Sequence, residues 1–83
     1  MAEQQIGVVN EFFAHINVAG VALSGTMRVG DTIHIKGHTT DLEQTVESIQ
    51  IEHEQLEEAK AGQAVGIKVK DRVRHGDQVF KVT

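Results

Sequence analysis

The sequence predicts an all-β domain, a small closed or nearly closed antiparallel barrel of six strands, and two observations lead to this fold class. The segments Thr32–Lys36 and Val65–Lys70 place an aliphatic residue at every second position, with polar residues or glycine between them. This period belongs to a strand with one face on a core and the other in water. Glycines also recur near strand ends and within strands, where a barrel turns corners or brings backbones together.

Four further strands complete the predicted barrel. They are residues 4–13, 16–23, 42–52 and 78–82. Two of them break the alternation, because the pairs Val8-Val9 and Phe12-Phe13 and the step from Val46 to Ile49 move side chains to the opposite face. An extra residue in one strand has this effect, so we expect bulges there.

Residues 52–61, EHEQLEEAKA, are mostly good helix formers. Only Leu56 and the alanines could face a core, and a short amphipathic turn has little stability alone. We therefore predict a loop with at most one helical turn.

The 83 residues are expected to form a single domain, 1–83, because no proline, serine-rich stretch or change in composition marks a linker. The 40% hydrophobic and 24% charged residues are typical of an ordered globular chain. Since there is no cysteine, disulfides, thiolate metal sites and cysteine nucleophiles are excluded. This composition fits a cytoplasmic protein, and without an apolar run near 20 residues we expect no membrane association.

The charge is unevenly distributed around a net value of −4. Residues 41–58 contain seven acids and no Lys or Arg, whereas the balance reverses from Lys60 onward. Along and beyond the fifth predicted strand, four cations alternate with other residues: Lys68, Lys70, Arg72 and Arg74. Such a basic stripe suits phosphate, although no exposed Tyr or Trp is present to stack on bases. The rival interpretation is that the stripe pairs with acidic residues of a neighbouring strand or of a partner protein.

The histidines and serines do not form a motif. His34 and His38 are four residues apart on a strand and a turn, where their side chains need not converge on a metal. Ser24 and Ser48 lack the surrounding residues of a nucleophile motif. We therefore predict no catalytic residue, no metal and no cofactor.

Four segments, in order and spacing, carry a family resemblance: Ser24–Asp31, Val46–Ile49, Ala61–Gly66 and Arg74–Asp77. They resemble the β-barrel second domain of elongation factor Tu, and the similarity extends from about residue 6 to residue 82. The resemblance implies that several of these residues form structural turns or close approaches. They are Gly25, Gly30, Asp31, Gly62, Gly66, Gly76 and Asp77.

The resemblance also suggests a binding role, since this barrel in translation factors contacts tRNA and the ribosome. Glu58 aligns with a glutamate that lies near the terminal adenosine of tRNA in that family. One departure is Phe12–Ile16, which is more compact and more apolar than the polar-tipped turn of translation factors. The chain also has no G-x-x-x-x-G-K-[ST] phosphate loop, so we expect neither GTP binding nor hydrolysis.

These observations favour a free-standing, non-enzymatic translation-factor-like barrel that binds RNA or a translation-related complex. The main alternative is a protein-interaction subunit or accessory barrel that completes a larger enzyme. A third is a homo-oligomer that pairs barrels edge to edge.

Overall fold

A computed structural model describes residues 2–83 as ten strands. They are β1 (Glu3–Phe13), β2 (Val18–Leu23), β3 (Met27–Arg28), β4 (Thr32–Lys36), β5 (Asp41–Thr45), β6 (Ile49–Ile51), β7 (Glu54–Leu56), β8 (Glu58–Ala59), β9 (Ala64–Lys68) and β10 (Gln78–Val82). None of the described residues is helical, so none forms a helix able to cross a membrane. The predicted all-β fold is confirmed.

All strand pairs are antiparallel, and eight strands form one sheet in the order β5-β4-β10-β1-β2-β9-β6-β7. Strands β3 and β8 form a separate pair. Because β5 and β6 are joined by only residues 46–48 yet lie near opposite ends of the sheet order, the sheet must curl on itself.

The Gln44 side chain links β5, the strand at one end of the curled sheet, to the end of β9 and the segment that follows it. Its Nε2 donates to the carbonyl of Lys68 over 2.8 Å, and its Oε1 accepts from the Lys70 amide over 3.0 Å. These bonds link β5 to the chain just after β9, where the described residues form no continuous ladder. A side-chain amide thus supplies the donor and acceptor that a neighbouring strand would otherwise provide.

The predicted strand at 42–52 is divided in two, so this part of the six-strand count is wrong. Residues 46–48 leave the sheet between β5 and β6, and the expected bulge is a break. Val46, only 1% exposed, bonds instead to the turn before β4: its amide donates to the Asp31 carbonyl and its carbonyl accepts from the Gly30 amide. The buried valine anchors the crossing from one end of the sheet to the other.

The prediction of a loop with at most one helical turn at 52–61 is also wrong, because the segment forms a tight turn followed by the short strands β7 and β8. Glu52 and His53 take positive φ values of 50° and 68°, which reverse the chain after β6. Leu56 then pairs with Ile49, and Ala59 pairs with Met27. Tertiary pairing therefore overrides the helix propensity of this acidic stretch.

Bulges occur in the first strand as predicted, but not at Phe12-Phe13, which pair in regular register with Ala19 and Val18. The register of β1 shifts between Gln5 and Gly7 against β10, and between Val9 and Glu11 against β2. As a result Ile6 and Val9 are both buried although three residues apart, while Val8 is 37% exposed.

One hydrophobic core lies inside the barrel and is shared by both halves of the sheet. Ile33 and Ile35 of β4 enter it from one side, and Val65 and Ile67 of β9 enter it from the other. The other members are Ile6, Val9, Ala19, Val21, Leu23, Met27, Val46, Ile49, Ala59, Val69, Val73 and Val79.

The same turn occurs before β4 and before β10. The Arg28 amide donates to Asp31 Oδ2 over 2.9 Å, and the Arg74 amide donates to Asp77 Oδ2 over 2.8 Å. Gly30 and Gly76 occupy the equivalent positions with φ of 97° and 93°, which an L side chain rarely adopts. Of the other glycines assigned to turns or close approaches, Gly62 lies in the turn before β9 with φ of 92°, Gly25 packs on Ile6, and Gly66 lies within β9.

Candidate binding surfaces

The four cations of the predicted basic stripe are divided between two grooves. Lys68 ends β9, and the three others follow in the loop before β10. Lys68 and Lys70 line an open groove of about 780 Å³ beside β5, whereas Arg72 and Arg74 line a second groove of about 260 Å³ near residues 39–42. The sequence spacing predicted one continuous stripe of four cations, and the tertiary structure divides it into two pairs.

Both grooves also carry carboxylates. Glu43 and Glu47 line the groove of the two lysines, and Asp41 and Asp71 line that of the two arginines. Within residues 2–83, none of the four cations forms an ion pair closer than 4.0 Å. The grooves are therefore mixed in charge rather than uniformly positive.

Glu58 lies away from the basic residues, in the small β3–β8 sheet. Its Oε1 accepts a hydrogen bond from Arg28 Nε over 2.7 Å, across the strand pair in which the two residues are partners. Both side chains are well exposed, so the pair adds little to stability. The carboxylate that the family resemblance connected with tRNA already has an arginine partner.

A charged face covers the outside of β4 and its neighbours, and we define it by Glu3, His34, Lys36, Asp41 and Phe80. His34 Nδ1 lies 2.6 Å from Glu3 Oε2, and its Nε2 contacts Asp41 Oδ1. Lys36 Nζ is 3.0 Å from the other Glu3 oxygen and 5.5 Å from the centre of the Phe80 ring. These contacts connect β1, β4, β5 and β10.

The two carboxylates change the titration of this histidine. Hydrogen bonds to Asp41 and then to Glu3 raise the pKa of His34 above its ordinary 6.5, because both ring nitrogens can donate only when the imidazole is protonated. The bond to His34, followed by that to Lys36, lowers the pKa of Glu3 below its ordinary 4.5. Sequence analysis treated His34 only as a poor metal candidate, since its partners are distant in the chain and no local signal identifies them.

A second outer face, on β2, β9 and β6, lacks large side chains at its centre. We call it the glycine face and define it by Gly20, Gly66 and Gln50, which are aligned across the three strands. Two grooves of about 490 and 270 Å³ meet there and share Gly66 and Gln50 as lining. Sequence analysis identified Gly66 as a position of close approach but could not align it with Gly20.

Comparison with known proteins connects the chain with proteins named as proteases. It is 43% identical over 77 residues to an uncharacterized protease of Methanocaldococcus jannaschii, a match covering 92% of this chain and 19% of that protein. It is 36% identical over 78 residues to a collagenase of Porphyromonas gingivalis, covering 92% of this chain and 22% of the collagenase. The chain therefore spans about a fifth of the length of these curated relatives.

A solved domain has the same fold. The C-terminal domain of a Geobacillus thermoleovorans protein assigned as a U32 peptidase superposes with a TM-score of 0.89 at 25% identity, covering 94% of this chain and 91% of that domain. These relatives are named for proteolysis, whereas the sequence motifs suggested a translation factor.

The motifs on which that resemblance depended nevertheless identify the barrel itself. The family model for elongation factor Tu domain 2 matches residues 18–79, from the start of β2 into β10. This span contains the repeated aspartate turns, the β3–β8 pair, the arginine groove, and the lining of the lysine groove except Asn17. The chain belongs to the elongation factor Tu domain 2 family.

Proposed function

We propose that the chain is a non-catalytic accessory barrel of a peptidase-type protein and that it acts by binding protein. The proposal depends on the similarity of the chain to a protease and a collagenase. The chain matches only about a fifth of the length of each of these proteins. The peptidase chemistry would then belong to the other four fifths of such a protein, in the same polypeptide or a separate one. This is the accessory-barrel alternative of the sequence analysis.

The charge of the grooves supports a protein partner over RNA. A phosphate placed between Lys68 and Lys70 would also approach Glu43 or Glu47, which line the same groove. The arginine groove has the same mixture, with Asp41 and Asp71 beside Arg72 and Arg74. Since phosphate neutralisation supplies most of the sequence-independent affinity for nucleic acid, mixed grooves weaken that affinity.

The proposal is tested by affinity purification at native expression, with and without ribonuclease. We expect a polypeptide resembling the remaining part of the archaeal protease to be recovered in near-equal amount, and its recovery to be insensitive to ribonuclease. Recovery of translation components that ribonuclease releases would contradict the proposal.

RNA binding remains the second candidate, because the four cations have no ion pair among the described residues. Titration with labelled tRNA and a single-stranded oligonucleotide at low and moderate salt decides it. RNA binding through these cations requires a log-log salt slope of roughly −0.7 per phosphate on a single strand. It also requires the Lys68→Ala, Lys70→Ala double variant to flatten that slope. We expect no retention even at low salt.

A further inference from the structure

The floor of the glycine face carries no side chain at its two central positions, Gly20 and Gly66, and the side chains of Asn10 and Val18 lie beside them. Gly20 of β2 is paired with Gly66 of β9, which is paired in turn with Gln50 of β6. The residues flanking each glycine are buried, so the positions without side chains lie on the outer surface. A Cβ at Gly66 would lie 3.3 Å from Val18 Cγ1, and one at Gly20 would lie 2.9 Å from Asn10 Oδ1. Larger residues would therefore fill the groove.

The rim of the same grooves is apolar. Phe13 lines the larger groove with 37% of its surface exposed, and Ile16 lines the smaller one with 52% exposed. Phe13 ends β1, and Ile16 belongs to the turn at residues 14–17 that leads to β2. Val18 and Ile51 are partly buried and also line these grooves. A single exposed aliphatic residue is ordinary on a protein surface, but here the exposed apolar residues border a groove with two glycines in its floor.

The hairpin that carries this rim is rich in apolar residues, with Phe12, Phe13, Ala14 and Ile16 among residues 12–16. In the structure Phe13 and Ile16 lie beside the groove rather than in the core. Core packing therefore accounts for Phe12, which packs against the core, but not for Phe13 and Ile16.

Charged residues on either side of the glycine face limit what can bind. Glu11 of β1 pairs with Gly20, Glu52 follows β6 on the other side, and both line the larger groove together with His53. Lys68 lines the smaller groove, and no other Lys or Arg among residues 2–83 lines either one. The two carboxylates would repel a nucleic acid and would attract Lys or Arg residues of a protein segment.

We propose that the glycine face is the docking site for an extended apolar segment of the peptidase-type partner. In this arrangement aliphatic side chains of the segment pack between Phe13 and Ile16 over Gly66, and basic residues of the segment lie at Glu11 or at Glu52. Glycines let the partner backbone approach the sheet closely, as extended segments do when they lie on a surface that lacks side chains. The identity of the partner in this inference depends on the proposed function. The chemistry of the docking segment does not depend on it.

The first test uses the full chain and the peptidase-type polypeptide recovered above. Ile16→Lys places a charge in the apolar rim, and Gly66→Ala narrows the floor. The matched control is Val29→Lys, because Val29 is a comparably exposed aliphatic residue, 42%, that lines neither groove of the glycine face. We expect about tenfold weaker binding for the first two variants, as for the loss of a central interface anchor, and unchanged binding for the control.

A second test does not need the partner. The chain is screened against a random library of 12-residue peptides, and enriched peptides are bound to the chain and to its three variants. We expect sequences with alternate aliphatic or aromatic residues next to a Lys or Arg, and we expect Ile16→Lys to abolish their binding while Val29→Lys does not.

The outcomes separate the two proposals. If the partner binds all variants equally, the accessory role stands and the docking site is wrong. If the chain is recovered neither with a peptidase-type partner nor as part of a peptidase-type polypeptide, but the library peptides behave as expected, the docking site stands and the proposed function fails. Enrichment of acidic peptides, equal binding of enriched peptides to Ile16→Lys, or no enrichment overturns the docking site. The docking site is also overturned if the chain dimerises in a concentration-dependent way and Ile16→Lys abolishes the dimer. That result would show that a second copy of the chain occupies the glycine face.

Discussion

The charged face and the glycine face lie over the same core but use their outward positions differently. On β4 the outward residue His34 is held by Glu3 and Asp41, and Lys36 lies near Glu3 and the Phe80 ring. On β9 the outward residue in the middle of the strand is Gly66, which has no side chain and lies between Gly20 and Gln50, with Val18 beside it. One face satisfies its polar groups within the domain, and the other has a groove at its centre. The barrel therefore has a face that stabilises it and a second face that we propose binds a partner.

The largest effect is expected from the core that both faces share. Ile35→Ala, beneath the charged face, and Ile67→Ala, beneath the glycine face, should each lower the free energy of unfolding by about 2–5 kcal/mol. Both isoleucines are at most 1% exposed and belong to one cluster. Urea denaturation measures the loss. A much smaller loss for either variant would show that the two halves do not depend on one core.

A smaller loss is expected when the charged face is broken directly. His34→Glu places a third carboxylate between Glu3 and Asp41, and we expect it to destabilise the fold by about 1–3 kcal/mol. The His34 side chain is only 16% exposed, so solvent screens the repulsion incompletely. His75→Glu, at an exposed turn, serves as the control and should change stability by less than about 0.5 kcal/mol. Equal stability of the two variants would contradict the role assigned to the charged face.

The same face predicts how stability varies with pH. The pKa of His34 is raised in the folded state, so its contribution is complete below the unfolded value of 6.5 and is lost as pH rises through the folded pKa. The pKa of Glu3 is lowered, so its contribution is complete above 4.5 and is lost as pH falls through the folded pKa. We therefore expect the highest thermal midpoint between about pH 4.5 and 6.5.

The variant that tests this profile is His34→Gln, and its matched control is His75→Gln. The His34→Gln substitution should abolish most of the decline in the thermal midpoint between pH 6.5 and 8.5. The His75→Gln substitution should leave that decline unchanged. A wild-type midpoint that keeps rising to pH 8.5 would show that the charged face does not control the profile.

The smallest effect is expected at the rim of the glycine face. Ile16→Lys should change the free energy of unfolding by less than about 0.5 kcal/mol, because Ile16 is 52% exposed and lies outside the core. Thermal or urea unfolding checks this, with Val29→Lys measured in parallel. A loss comparable to that of the core variants would assign Ile16 to folding instead of binding.

Strand positions were predictable where the alternation was clear. Residues 32–36 form β4 with the predicted limits, because Ile33 and Ile35 alternate with polar residues. Residues 78–82 also form β10 with the predicted limits, although their alternation is weaker. Residues 52–61 were predicted wrongly, since local helix propensity carries no information about pairing with distant strands. The break at Val46 was also missed, because a bulge and a chain crossing shift the pattern of exposure in the same way.

The sequence by itself determined the all-β class, the antiparallel barrel and the turns at Gly30 and Gly76, because alternation and turn chemistry act over a few residues. Only the tertiary structure divided Lys68 and Lys70 from Arg72 and Arg74, paired Glu58 with Arg28, and aligned Gly20 with Gly66. These arrangements depend on strand register and on how the sheet curls, which the whole core sets and no local segment encodes.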